Sequence, residues 1–285
     1  MRTLAAVAAL CTVLAGSGGA GAATAPGLSR AEHAALAKKG AFGAHPVRLL
    51  LLGDSIALTI GFGLSVDSQS SYGVSISNHS TLGCDLDPTV SIITSGQVGP
   101  ATPGCVLWRA LWPFLTAYVH PQVVALGLGR WEISDHFFDG QWVHIGQPVW
   151  DAHLTDDLLG AVKIFQTFHA KVILFTMPYI DPSDRQANGQ PFPENTDQRV
   201  NAYNALVERV AAHDPGEITA VDVNHLLDPK NVYTSRVDGV ATRWTDGIHI
   251  SRAGGVFLRS GILPIVDRLA LQVDRSWAKA HKKPS

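Results

Sequence analysis

The sequence predicts an α/β fold in which a parallel sheet is covered by helices on both faces. Three observations carry this expectation. Short, near-continuous apolar runs recur along the chain, as strands buried on both sides require. Segments with apolar residues at three- and four-residue spacing separate them. The regular alternation of the two implies βαβ units, and hence parallel pairing.

The first strong element is Val47–Leu52, closed by Gly53. Tyr72–Ser77 alternates polar and apolar residues and predicts a more exposed strand. Val123–Leu126 follows Pro121, Val172–Phe175 follows Lys171, and Ile218–Val223 is the fifth candidate. A helical pattern follows Ser55. Trp150–His169 repeats Leu154, Leu158, Ala161, Val162 and Phe165, and Thr196–Ala212 repeats Val200, Tyr203, Leu206, Val207 and Val210. Ala253–Val273 predicts a last helix, bent near Pro264. Ser80–Leu111 shows no regular pattern and is rich in Gly, Pro, Ser and Thr, which predicts a long functional loop walling one side of a site.

With 285 residues, 46% of them apolar and 16% charged, the chain has the means to bury one sizeable α/β core. Its formal net charge is -2 and no basic stripe runs along it, which excludes nucleic acid as a partner. Residues 1–22 read as a signal peptide: Met1-Arg2, the apolar Leu4–Leu14, and Ala20-Gly21-Ala22 as an A-x-A cleavage site. The alternatives are a packed N-terminal helix or an uncleaved anchor. Residues 23–44 are expected to be a linker with one short helix around Arg30–Lys39, and Lys279, Lys282 and Lys283 mark 276–285 as a basic tail. The expected location is secreted or extracytoplasmic, in the cell envelope. Beyond Cys11 in the apolar run, two cysteines remain, Cys84 and Cys105. They form either one disulfide in an oxidising compartment or two buried thiols. Without histidines at ligand spacing they make no zinc site, and neither a metal nor a cofactor is expected.

In an open parallel sheet, ligands bind beyond the carboxyl ends of the strands. The first strand ends in Gly53-Asp54-Ser55-Ile56. Gly53 permits a tight turn and Ser55 then stands at a helix N-terminus, where backbone N–H groups can stabilise an oxyanion. A serine nucleophile needs a base, and the base an orienting partner. Trp244-Thr245-Asp246-Gly247-Ile248-His249 offers both, the carboxylate folding back onto the imidazole. Taken alone, the same motif is equally a turn with a capping Asp.

Gly53-Asp54-Ser55-Ile56 near the start and Asp246-Gly247-Ile248-His249 near the end resemble the first and last blocks of the SGNH (GDSL-like) hydrolase superfamily. The resemblance covers residues 45–275. It implies a three-layer α/β/α, flavodoxin-like sandwich on a five-stranded parallel sheet, and a Ser/His/Asp mechanism acting on esters. By this resemblance Ser55 attacks the acyl carbon, His249 is base and then acid, and Asp246 orients it. The oxyanion donors it implies are the Ser55 N–H, the Gly83 N–H within Thr81-Leu82-Gly83-Cys84, and a group at the third position of Gly129-Arg130-Trp131-Glu132. There the family carries Asn and this chain carries Trp131. Gly-Arg-Trp-Glu, the Gly-Cys loop, Trp108 and Trp112 after Cys105, and Phe175-Thr176-Met177-Pro178-Tyr179 resemble one branch, the SGNH domain attached to bacterial membrane acyltransferases. That likeness implies an acyl ester substrate on envelope glycans, and a membrane acyltransferase partner or none.

Other residues are weighed against plainer roles. His136, His144 and His153 have no ligand spacing and are expected to be structural or superficial. Trp108, Trp112, Trp131, Trp142 and Trp150 either line a pocket or pack the core. Arg130 and Glu132 are candidates for an ion pair at the crevice, and Asn201 and Asn204 for packing contacts. Three functional readings follow: a hydrolase, an acyltransferase with the same triad, and a catalytically weak glycan-binding or partner module.

Overall fold

The structure is a computed structural model that describes residues 46–280 apart from Thr89. The expected signal peptide, the linker with its short helix, and residues 281–285 lie outside the described residues. In chain order, β1 (Val47–Gly53), α1 (Ser55–Leu64), the short α2 (Ser68–Tyr72) and β2 (Val74–Asn78) come first. A hairpin of β3 (Ser91–Thr94) and β4 (Gln97–Pro100) leads to α3 (Trp108–Val119) and β5 (Val123–Gly127). A second hairpin, β6 (Asp135–Phe138) and β7 (Gln141–Val143), precedes α4 (Pro148–Gln166) and β8 (Lys171–Phe175). The chain continues through α5 (Asp197–His213), β9 (Ile218–Val221) and α6 (Val223–Leu227). It then forms the small β10 (Arg236–Val237) and β11 (Val240–Ala241) and the long α7 (Arg252–Ala280).

Strands β2, β1, β5, β8 and β9 lie side by side in that order, all parallel. Helices cover both faces: α1 and α7 pack together on one, and α3, α4 and α5 pack in sequence on the other. These are the five expected strands and the expected three layers. Leu49, Leu50, Leu51 and Leu52 of β1 are all fully buried, so both faces of the strand are apolar as the run implied. Each such side chain contributes about 1.5–3 kcal/mol when removed from water. The fifth strand stops at Val221, short of the expected Val223. Asp222 caps α6 there, accepting the His225 N–H at 2.9 Å.

Ser80–Leu111 is not the patternless loop expected. It contains β3 and β4, which join β6 and β7 in a second, antiparallel sheet of order β4-β3-β6-β7, and the first turn of α3. Strands of three or four residues are too short to display an alternation. Cys84 and Cys105 are joined as a disulfide that encloses the β3–β4 hairpin. The last helix is one element with Pro264 inside it, and it runs to Ala280, into the segment expected as a tail.

Helices α1 and α7 meet at Gly63 and Gly255, where a Cβ on either would overlap the backbone of the other helix. Further along α7, Asp267 is wholly buried, and burial pushes its carboxyl up to about 8. The unfolded chain releases this proton near pH 4 and the folded protein keeps it to about 8, so stability falls as pH rises between those values. Asp267→Asn is expected to flatten that slope and to raise Tm at about pH 8 by about 10–20 °C, with little change at about pH 4. Calorimetry across this range checks it, and an unaltered slope would refute it.

Candidate active site

The turn between β1 and α1 is shaped by one close approach. Gly53 has φ +133°, and a Cβ at this position would overlap the carbonyl oxygen of Gly127 at the end of β5. Glycine therefore lets two neighbouring strands end in contact and the chain turn at once into a helix. The next N–H, of Asp54, donates to that same Gly127 oxygen at 3.0 Å. Asp54 is buried and caps α1: its Oδ1 accepts from Ile56 N–H at 2.8 Å and Ala57 N–H at 3.3 Å. Its Oδ2 accepts from Arg130 N–H at 3.2 Å, across from the loop after β5. Burial raises the Asp54 carboxyl, and these donors and the Arg130 charge only partly oppose it. Ser55 is the first residue of α1. Asp54 occupies the two N–H groups that follow, whereas the Ser55 N–H meets no acceptor among the described residues.

The loop before α7 carries Asp246 and His249. Asp246 Oδ2 lies 2.6 Å from His249 Nδ1, and a carboxylate there fixes the proton on Nδ1 and leaves Nε2 as an acceptor. Asp246 Oδ1 accepts the N–H groups of Ile248 at 2.9 Å and His249 at 3.0 Å. Burial works to raise the Asp246 carboxyl, but the His249 ring and these two donors outweigh it and hold it below its ordinary value. The turn is closed by Trp244 N–H to His249 O at 2.9 Å. Gly247, at φ +72°, sits against the Asp181 carbonyl with no room for a side chain, and Asp181 N–H donates to its oxygen at 2.8 Å.

Thr59 joins the two halves. Its Oγ1 accepts the Ile250 N–H at 3.3 Å and donates to Ser55 O at 3.0 Å. The residue after His249 is thereby linked to the carbonyl of Ser55. Ser55 Oγ and the His249 ring form no direct hydrogen bond among the described residues.

The loop after β2 runs beside the same turn, with Thr81 N–H on Gly53 O at 2.8 Å. Gly83 follows at φ +64°, its carbonyl accepting the Gly104 N–H at 2.9 Å next to the disulfide. Trp131 stands on the loop after β5 with the Arg130 guanidinium 5.5 Å over its ring. Its indole Nε1 is sealed from solvent and donates to nothing among the described residues.

The expected Arg130–Glu132 contact is not what Glu132 makes. Its fully buried carboxylate accepts Gly129 N–H at 2.8 Å and Leu86 N–H at 3.3 Å, tying the loop after β5 to the loop after β2. Burial and the neighbouring Asp85 and Asp54 charges push this carboxyl well up. Arg130 feels Glu194, Asp54 and Asp184 instead. The three histidines have separate partners: His136 faces Asp85 at 3.4 Å and stacks on Trp150, His144 donates to Ile145 O at 2.7 Å, and His153 faces Asp87 at 2.9 Å. Trp108, Trp112 and Trp150 are core residues, whereas Trp142 is exposed. Asn201 accepts the Tyr179 hydroxyl at 2.7 Å, and Asn204 brackets Met177.

The positioning roles of Thr59 and Asp181 carried no signal in the sequence, and Glu132 was singled out there only for an ion pair with Arg130. Asp54 did carry one, as an Asp immediately before a helical pattern.

The chain matches no protein-family model and no curated protein. Among solved structures it is similar to a GDSL-like lipase from Bacteroides thetaiotaomicron, at 15% identity and a TM-score of 0.47 over 84% of this chain and 99% of that one. It is similar to a catalytic mutant of an acetylxylan esterase from Geobacillus stearothermophilus, at 17% identity and a TM-score of 0.47 over 78% and 94%. An alpha/beta hydrolase enzyme from the metagenome of Lake Arreo, Spain, gives 19% identity and a TM-score of 0.49 over 81% and 99%. At these values the likeness identifies no activity for this chain.

Gly53→Ala is expected to cost about 3 kcal/mol or more, because the new methyl must push β1 away from β5. Urea unfolding measures it, and a loss under about 1 kcal/mol would mean the turn has slack. Glu132→Gln keeps the shape but turns an amide donor toward one of two N–H groups. The expected cost is about 1–3 kcal/mol by the same measurement, and unchanged stability would remove the bridge as a structural constraint.

Proposed function

We propose that the chain is an exported serine esterase or acyl-transfer enzyme of SGNH type, acting on O-acyl esters such as those on cell-envelope glycans. The observation that supports this most is the 2.6 Å Asp246–His249 contact on a loop bonded through Thr59 to the first turn of the helix that Ser55 begins. In this reading Ser55 Oγ attacks the acyl carbon and His249 Nε2 takes the hydroxyl proton. Asp246 holds Nδ1–H and stabilises the imidazolium that forms. The N–H groups of Ser55 and Gly83 donate to the tetrahedral oxyanion. Its collapse expels the alcohol, which leaves with the proton from His249, and an acyl-Ser55 ester remains. Water or a sugar hydroxyl then attacks that ester by the same steps in reverse, giving free acid or a new ester.

A second reading is favoured by one feature. The Trp131 indole N–H is sealed from solvent, which weighs against it as the third oxyanion donor. A catalytically weak glycan-binding or partner module follows from that. Removing one such donor typically costs about 10²–10³ in rate, which leaves measurable turnover.

The test is hydrolysis of a short-chain nitrophenyl ester by the wild-type chain, Ser55→Ala and His249→Ala. Each variant is expected to lose about 10³-fold or more in kcat/KM. Activity that survives Ser55→Ala would overturn the assignment of the nucleophile. Absence of turnover in all three would favour the binding reading. With activity established, adding an oligosaccharide acceptor distinguishes hydrolase from transferase by the fraction of acyl group found as ester.

A further inference from the structure

The loop before α7 is a narrow ribbon at its base. Arg243 and Ile250 face each other across it as an antiparallel bridge, flanked by Ser251 N–H on Thr242 O and Trp244 N–H on His249 O, each at 2.9 Å. Both bridge residues are buried, with the Arg243 guanidinium on the Asp228 carboxylate at 2.6 Å. Successive side chains on such a ribbon alternate between its faces, and directly opposite residues share a face, their Cβ atoms about 5 Å apart. Trp244 and His249 are the next opposite pair. They therefore stand together on the face that Arg243 and Ile250 turn away from. Exposure agrees with this. The His249 ring is partly open to solvent, and Trp244 is 56% exposed, more than any other tryptophan among the described residues.

What lies on this face follows from the esterase reading above, on which the inference rests. There the leaving oxygen takes its proton from His249 Nε2 as its bond to the acyl carbon breaks. The alcohol half of the ester must then lie against the His249 face of the ribbon. The oxyanion is directed to the N–H groups of Ser55 and Gly83, and the acyl chain takes the remaining direction.

We propose that Trp244 is the platform on which the alcohol half of the ester rests, and that this half is a pyranose ring. An indole offers a flat apolar face with a polar edge. The apolar surface ends with it, because Thr245 and Asp246, next along the turn, are exposed and polar. The Asp181–Arg185 ion pair stands beside Gly247. A pyranose matches both features, with C–H groups on one face and hydroxyls around its rim. An alkyl alcohol would cover these polar groups without pairing them. A cationic alcohol would suit the indole, but His249 becomes an imidazolium as Ser55 attacks and repels it.

Acetate release from glucose pentaacetate and from ethyl acetate is compared for the wild-type chain, Trp244→Ala and Trp244→Phe. The ratio of the two kcat/KM values, sugar ester over ethyl ester, is expected to fall about tenfold or more in Trp244→Ala, through KM more than kcat. Trp244→Phe is expected to recover most of it. An unchanged ratio overturns the proposal, even where both rates fall, since a common loss means that the indole only holds the loop. A wild-type preference for acetylcholine that disappears in Trp244→Ala overturns it too, by giving the face to a cation. A second readout needs no turnover. In Ser55→Ala the emission of Trp244, taken as the difference from Ser55→Ala/Trp244→Phe, is expected to change on titration with glucose pentaacetate. That change beside a wild type that hydrolyses neither ester would overturn the esterase reading and support the sugar platform. Hydrolysis with no sugar-dependent emission would overturn the platform alone, and the absence of both would overturn both.

Discussion

The buried Asp54 carboxylate accepts backbone N–H groups from two segments far apart in the chain, the first turn of α1 and the loop after β5. Much of the crevice follows from that shared acceptor. Capping Ile56 and Ala57 fixes where α1 begins, and so the position of Ser55. Holding Arg130 fixes where the β5 loop returns, and so the position of Trp131 and Glu132. A carboxyl placed in so apolar a setting is costly on its own, and Asp54 is pushed toward its protonated form. The Gly53–Gly127 contact makes the arrangement possible, because only two strand ends without intervening side chains bring both segments within reach of one side chain.

Around this acceptor the loops are secured in pairs, each pair through a different kind of contact. Glu132 joins the β5 loop to the β2 loop, and the disulfide closes the β2 loop on itself. Thr59 joins the last loop to the first helix, and the Asp181 backbone supports Gly247 from behind. The site is thus assembled from the loops that follow β1, β2, β5 and β8 together with the loop before α7, and a functional group on any one loop depends on contacts made by the others. Apart from Asp54 and Glu132, these ties use hydroxyls, backbone groups and sulfur rather than charge, in keeping with a chain of low charge density.

The parallel core was legible because strands buried on both faces must be apolar throughout. Val47–Leu52, Val123–Leu126 and Val172–Phe175 leave no alternative period to read. The ends of Ser55's strand and of His249's loop were legible because each combines a glycine with polar residues where a sheet of this class binds ligands. The second sheet was not. Ser91–Thr94 and Gln97–Pro100 are too short to alternate visibly, and β3's other partner, β6, lies some forty residues further on. Glu132 misled for a related reason: adjacency in sequence suggested Arg130, whereas the loop curls so that its carboxylate meets backbone donors from Gly129 and Leu86. Contacts such as Thr59 with Ile250 join positions 191 residues apart, which no local pattern reveals.

The glycine contact between α1 and α7 also bears on how the chain is made. The helix that begins at Ser55 leaves the ribosome well before the surface it packs against, which starts at Arg252. Until then α1 has no partner for its Gly63 face and the Ile250 N–H is not there to meet Thr59. Contacts of such long sequence separation form late and slowly. A chain cut short anywhere before α7 keeps the strands that bear Ser55 but lacks the element that seats them, so a partial translation product has no means of acquiring a finished crevice.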